Sequence, residues 1–156
     1  MKVVFQIGGL LVLCIFAYFS YQYIQTHMGQ QALEKLEFPM HTLEEGLRIA
    51  ERDKKLVLAD YSAIWCPTCR RLDEEVFASE QVSDYIKEAF VYVRLEYDSK
   101  EGIEFADTHD LQGFPRIVVL KKDGSKVTEM PLMFDPVEYA DNLQKVVLAQ
   151  QTQVQF

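Results

Sequence analysis

The chain has 156 residues, 49% of them apolar, and a formal net charge of −8, which suits one compact domain plus a short appendage. An acidic chain without a Lys/Arg stripe is repelled by phosphate backbones, so no nucleic-acid partner is expected. Of three cysteines, Cys14 lies in an apolar run, leaving Cys66 and Cys69 as one close pair. One pair is too few for a disulfide-stapled scaffold.

Residues 3–24, VVFQIGGLLVLCIFAYFSYQYI, carry no charge, and Lys2 is the only ionised side chain before Glu34. A helix rises about 1.5 Å per residue and needs around 20 apolar residues to cross hydrocarbon. Residues 1–24 therefore read as a single transmembrane anchor, or as a signal peptide whose core is Ile7–Phe19. No convincing pair of small residues follows that core, and Tyr18, Tyr21 and Tyr23 resemble an interfacial aromatic belt, which favours the anchor. Lys2 weakly favours a cytoplasmic amino end, which puts the rest of the chain outside the cytoplasmic membrane. Cys14 reads as a lipid-facing or packing residue. Residues 25–40 are polar and mixed, and read as a linker with a helical turn around Ala32–Leu36.

The domain is expected over 41–150, with a tail at 151–156. Thr42-Leu43-Glu44-Glu45 has the pattern of a capping box, so a helix should run to about Arg52. KLVLAD is an apolar run of strand length. Pro67 suits a first helical turn, where its missing N–H has no partner anyway, so a helix is expected over 66–76. Ser79 caps the next, in which Val82, Tyr85, Ile86 and Phe90 recur at helical spacing. VYVRLEY alternates like a strand, a short helix follows at 101–110, and RIVVLKK and KVTEM flank the hairpin signal Asp123-Gly124. A last helix is expected from Pro136 to about Ala149. The order α-β-α-α-β-α-β-β-α implies an α/β fold with a mixed sheet and helices on both faces.

Cys66-Pro67-Thr68-Cys69 lies where the first strand hands over to a helix. A structural zinc site wants four ligands, and neither a second C-x-x-C nor a pairing among His27, His41 and His109 supplies them, so no metal is expected. A redox pair fits. Cys66 falls at a helix amino terminus, where unpaired N–H groups stabilise a thiolate, and Cys69 lies one turn further along, placed to attack a mixed disulfide at Cys66.

LADYSAIWCPTCR resembles the active-site strand and helix of the thioredoxin superfamily, and the likeness extends over about residues 41–149. The resemblance implies a thioredoxin-like sheet and roles for individual residues. Cys66 would be the attacking thiol, Cys69 the resolving thiol, and Asp60 the buried acid that moves its proton. Trp65 would shield the disulfide, and LQGFPR resembles the family's G-x-P loop, implying a cis Phe114–Pro115 bond beside the cysteines where substrate backbone lies. Arg94 and Asp98 echo a basic and an acidic residue of the next strand, although Arg94 by itself reads as a solvated strand residue. Asp73, Glu74 and Glu75 read as a solvated helix face, and His109 as a helix-end residue.

The C-P-T-C centre resembles membrane-anchored thioredoxins of cytochrome c biogenesis, and residues 74–98 resemble the carboxy-terminal domain of the transmembrane reductase DsbD. Both imply a reductase of protein disulfides outside the cytoplasmic membrane, recharged by a membrane thiol donor of the DsbD or CcdA kind. No resident cofactor is implied beyond the Cys66–Cys69 disulfide itself. A disulfide oxidase or isomerase, or a non-catalytic binding module on the same fold, stands as the alternative.

Overall fold

The computed structural model describes residues 2–153, with side chains over 9–152. Four strands, β1 (Leu56–Ser62), β2 (Phe90–Glu96), β3 (Arg116–Leu120) and β4 (Lys126–Met130), form one sheet in the order β2-β1-β3-β4. β1 pairs β2 in parallel and β3 antiparallel, and β3 pairs β4 antiparallel. The hairpin turns where expected, at Gly124, whose φ of 82° suits a residue without Cβ.

Alternation along the strands divides the interior into two layers. Leu58, Tyr92, Ile117 and Val119 face one side, where they meet Phe77 and Val82, Ile86 of α4 (Glu80–Ala89), and Tyr139 and Leu143 of α6 (Pro136–Gln153). Val57, Ala59, Val93, Val118 and Leu120 face the other, against Ala50 of α2 (Leu43–Asp53) and Phe105 of α5 (Lys100–His109). α2 has the cap its sequence predicts, with Thr42 Oγ1 accepting from the Glu45 N–H at 3.3 Å. α6 is started by Asp135, whose carboxylate accepts from the Val137 and Glu138 N–H groups. It continues to Gln153 instead of stopping near Ala149, so the expected tail is partly helical, and its remainder, 154–156, lies outside the described residues.

Two elements differ from expectation. The helix expected over 66–76 is divided: α3 (Pro67–Leu72) leads into a π-helical turn, Asp73–Phe77, closed by the Ala78 N–H donating to the Asp73 carbonyl at 2.9 Å. The anchor and linker also form one element rather than two. α1 (Lys2–Leu33) continues without a break past Ile24, because the chain from Gln25 to Leu33 contains no proline and packs on the domain through Gly29 and Ala32, both buried. Only residues 34–40 are irregular, and even these are fastened by Phe38, whose ring lies 4.8 Å from that of Tyr92. Along α1, residues 9–33 are long and apolar enough to cross a membrane, and Leu10–Phe19 are exposed apart from their neighbours on the helix.

Candidate active site

β1 delivers the chain to the site. Beyond Ser62 it turns through Ala63-Ile64-Trp65 into α3, and Cys66 is the extended residue that caps that helix. Its sulfur accepts the Cys69 N–H at 3.2 Å. Pro67 follows as the first helical residue, where a missing N–H costs nothing. Cys66 and Cys69 are both free thiols and both buried. They nevertheless differ in chemistry. The Cys69 thiol donates to the Cys66 sulfur, and the N–H groups of Cys69 and Thr68 add to it. Against the cost of burial, these donors bring Cys66 down to about 6. The same hydrogen bond, followed by burial and the negative charge of Asp60, pushes Cys69 far above the ordinary thiol range. One sulfur is thus prepared as thiolate and the other holds its proton.

The surroundings of the pair are apolar and aromatic. Ala63 packs with the two cysteines, with Trp65 and Phe114 against them. The Trp65 and Phe114 rings meet edge to face at 5.4 Å, and the Tyr97 ring lies 4.6 Å from that of Phe114. The Phe114–Pro115 peptide bond is cis and Pro115 is buried.

Beneath the cysteines lies a cluster of charge. In β1, Leu58, Asp60 and Ser62 share a face, and the parallel register sets Asp60 beside Arg94 and Ser62 beside Glu96. Asp60 is fully buried and accepts from Ser62 Oγ, from the Tyr92 hydroxyl at 2.6 Å and from Arg94 Nη1 at 2.6 Å. Arg94 is therefore not the solvated residue its place in a strand suggests: its side chain is 7% exposed. The same Nη1 donates to Asp73 at 3.1 Å, and Nε donates to Glu96 at 3.1 Å. Burial opposes the Arg94 charge, but Asp60, Tyr92 and Asp73 together hold it firmly protonated. Asp73 likewise departs from the solvated face expected for the acidic run, since it alone of Asp73, Glu74 and Glu75 is buried. Desolvation, more than Arg94 relieves, raises its carboxyl to about 8. Asp73 is thus the carboxyl of the cluster that burial biases toward its protonated form.

Glu96, not Asp98, is the acid of the second strand that reaches the site. Asp98 lies past the end of β2 and is exposed. Glu96 Oε2 accepts the Ile64 N–H at 2.8 Å, so it links Arg94 to the loop that carries Trp65 and Cys66. The carbonyl of that same Ile64 is closed off from the opposite side by Gly29 of α1: a Cβ there would fall 1.9 Å from the oxygen. Gln25 Oε1 accepts from Arg70 Nη1 of α3 at 2.6 Å, and Lys35 pairs with Glu74 at 3.0 Å. Among the described residues no cluster of His, Cys, Asp and Glu has the form of a metal site. His109 ends α5 with its ring against Phe105.

Asp73, Glu96 and Gly29 escaped the sequence reading. A usable signal existed for Glu96, which shares strand parity with Arg94. None existed for Asp73, whose burial depends on the π-helical turn, or for Gly29, whose role depends on where α1 docks.

A family model described as thioredoxin-like matches residues 39–122. Thioredoxin H3 of Arabidopsis thaliana is 31% identical over 91 residues, which is 56% of this chain and 72% of that protein. The thiol:disulfide interchange protein DsbD of Pseudomonas fluorescens is 28% identical over 85 residues, 54% of this chain, but the match spans only 15% of that protein. Among solved structures, a putative disulphide-isomerase from Bacteroides thetaiotaomicron superposes with a TM-score of 0.61 at 26% identity, covering 72% of this chain and 93% of that one.

Proposed function

This chain belongs to the thioredoxin-like family of thiol–disulfide oxidoreductases, and from that premise we propose that it is a membrane-tethered reductase of protein disulfides, acting outside the cytoplasmic membrane. The observation that carries the reading is the division of labour between the two sulfurs. Cys66 at about 6 is mostly thiolate at neutral pH, and it stands nearer the roughly 7 of thioredoxin than the roughly 3.5 of the oxidant DsbA. The stronger the preference for thiolate, the more stable the dithiol and the more oxidising the centre. A moderate preference suits a donor of electrons, and Pro67-Thr68 adds no positive charge to deepen it.

The cycle begins when the Cys66 thiolate attacks one sulfur of a substrate disulfide, forming a mixed disulfide and releasing the other sulfur as thiolate. Loss of the Cys66 charge removes the main reason Cys69 keeps its proton. Asp60 accepts that proton, directly or through water. Arg94 then shifts its Nη1 bond toward Asp73, which can release the proton it was holding. Cys69 attacks Cys66, and the second substrate thiolate leaves. Two electrons pass to the substrate, two thiols appear there once protonated, and Cys66–Cys69 closes as a disulfide. A membrane thiol donor of the DsbD or CcdA kind restores the dithiol. The Trp65–Phe114 surface and the backbone at Phe114–Pro115 receive the substrate chain, which adds to it in extended form.

Equilibration with glutathione or dithiothreitol tests the direction of flow. The reading expects a reduction potential close to that of thioredoxin, about −270 mV. A value near that of DsbA, about −120 mV, overturns it in favour of an oxidase or isomerase, the reading that the likeness to a putative disulphide-isomerase supports.

A further inference from the structure

The continuity of α1 carries a consequence for where the cysteines work. Residues 3–24 contain no charge, and at about 1.5 Å per residue their 22 positions make a rod of about 33 Å, close to the ~30 Å of bilayer hydrocarbon. The same helix proceeds without a break into the domain. It is held there at three points in and just beyond its last turns: Gln25 bonded to Arg70, Gly29 packed against the Ile64 carbonyl, and Lys35, just past the helix end, bonded to Glu74. Gly29 stands five residues beyond Ile24, hence about 7.5 Å further along the axis. A bilayer measures about 40–45 Å with its headgroups, so each headgroup layer is about 5–8 Å deep. With Ile24 at the hydrocarbon boundary and Tyr18, Tyr21 and Tyr23 just inside it, Ile64, and with it the adjoining Trp65 and Cys66, lies at the outer edge of the headgroup layer.

We infer that α1 is a rigid post that fixes the dithiol at the lipid headgroup layer, so that the partners it serves are membrane proteins whose cysteines lie at that level. This rests on reading α1 as a membrane span. A thioredoxin-like domain on a flexible tether would sweep a volume and meet soluble substrates freely. On a post, the reactive sulfur meets what diffuses in the plane of the membrane, and a disulfide held well above the surface is out of reach.

Trp65 is the only tryptophan of the chain and reports the height directly. The full chain is reconstituted into phosphatidylcholine vesicles containing a lipid with a nitroxide on its headgroup, and Trp65 emission is compared with that in vesicles lacking the nitroxide. A second protein carries ten Gly/Ser residues inserted between Ile24 and Gln25. The insertion leaves all three docking contacts intact and replaces the post by a coil of roughly 16–19 Å. Strong quenching in the native chain, reduced at least twofold by the insertion, is the expected result. Equal quenching in both, or none in the native chain while it floats with the vesicles, overturns the inference. Failure to float with vesicles removes the membrane span, and the inference with it.

The partner class is tested on two spanning peptides. One holds a disulfide within two turns of the bilayer, and the other raises it on a Pro-rich spacer of twelve residues, about 37 Å long. The native chain should reduce the low disulfide at least fivefold faster than the raised one, and the insertion should bring the ratio toward one. Equal rates for the native chain on both peptides refute the assignment of partners. Inactivity on both peptides and on a soluble disulfide points instead to failure of the reductase reading, which the quenching result does not depend on.

Discussion

Cys66 owes its acidity to neighbours that the sequence fixes within three residues: the Cys69 thiol, then the Cys69 and Thr68 N–H groups. Iodoacetamide alkylation of Cys66 in the reduced protein should therefore rise with pH through a midpoint near 6, not near the 8.5 of a free thiol. In Cys69→Ala, which removes the strongest donor, the midpoint should move upward by one unit or more. Asp73 makes a second residue-scale prediction. Its carboxyl is raised to about 8 against about 3.9 in an unfolded chain, so between those values the folded state binds more protons. Its contribution to stability must then fall as pH climbs from about 4 to about 8, by an amount on the order of a few kcal/mol, while Cys66, lowered to about 6, acts in the opposite direction above that pH. Asp73→Asn mimics the protonated form and should flatten that fall, as measured by urea unfolding of the reduced protein across the range. A variant whose stability falls as steeply as the native chain's would place the stored proton elsewhere in the cluster.

Among the elements, α1 is decided by one glycine. Exchange of glycine for alanine inside a helix ordinarily stabilises by roughly 0.5–1 kcal/mol. At Gly29 the sign should reverse, because the new Cβ would sit 1.9 Å from the Ile64 carbonyl oxygen; overpacking of this kind costs about 1–3 kcal/mol. Gly9 provides the control on the same helix, since nothing lies within 4 Å of a Cβ placed there, and Gly9→Ala should lose no stability. Proteolysis within 25–33 should accelerate in Gly29→Ala alone. The Lys35–Glu74 pair is exposed and adds little by comparison. The π-helical turn acts at the same scale. It follows directly on α3 and buries Asp73, Val76 and Phe77, so it brings an acid to Arg94 while filling the core beside Tyr92.

For the molecule as a whole, local patterns predicted the elements and long-range register withheld the site's electrostatics. Strand alternation, the Thr42 cap, Pro67 and Asp123-Gly124 each act within a few residues, and the architecture they imply is the one observed. The closeness of Asp60 to the cysteine pair was implied by the family resemblance of LADYSAIWCPTC, in which all three lie within ten residues. Arg94 was misread because only the parallel pairing of β1 with β2 sets it beside Asp60, and nothing local in VRLEYD distinguishes a buried guanidinium from a solvated one. The docked end of α1 was misread as a linker because the contacts that hold it are distant in sequence, Gln25 meeting Arg70 and Gly29 meeting a backbone carbonyl thirty-five positions away.

Ile64 is hemmed in at both of its backbone polar groups: its N–H donates to Glu96, and its carbonyl lies against Gly29. With α1 read as a membrane span, rotation of the helix would be passed through these contacts to the strand-to-helix turn bearing Cys66. A neighbouring helix that prefers one flank of residues 9–24 would thereby choose the compass bearing on which the sulfur looks out, steering the domain as a tiller steers a rudder.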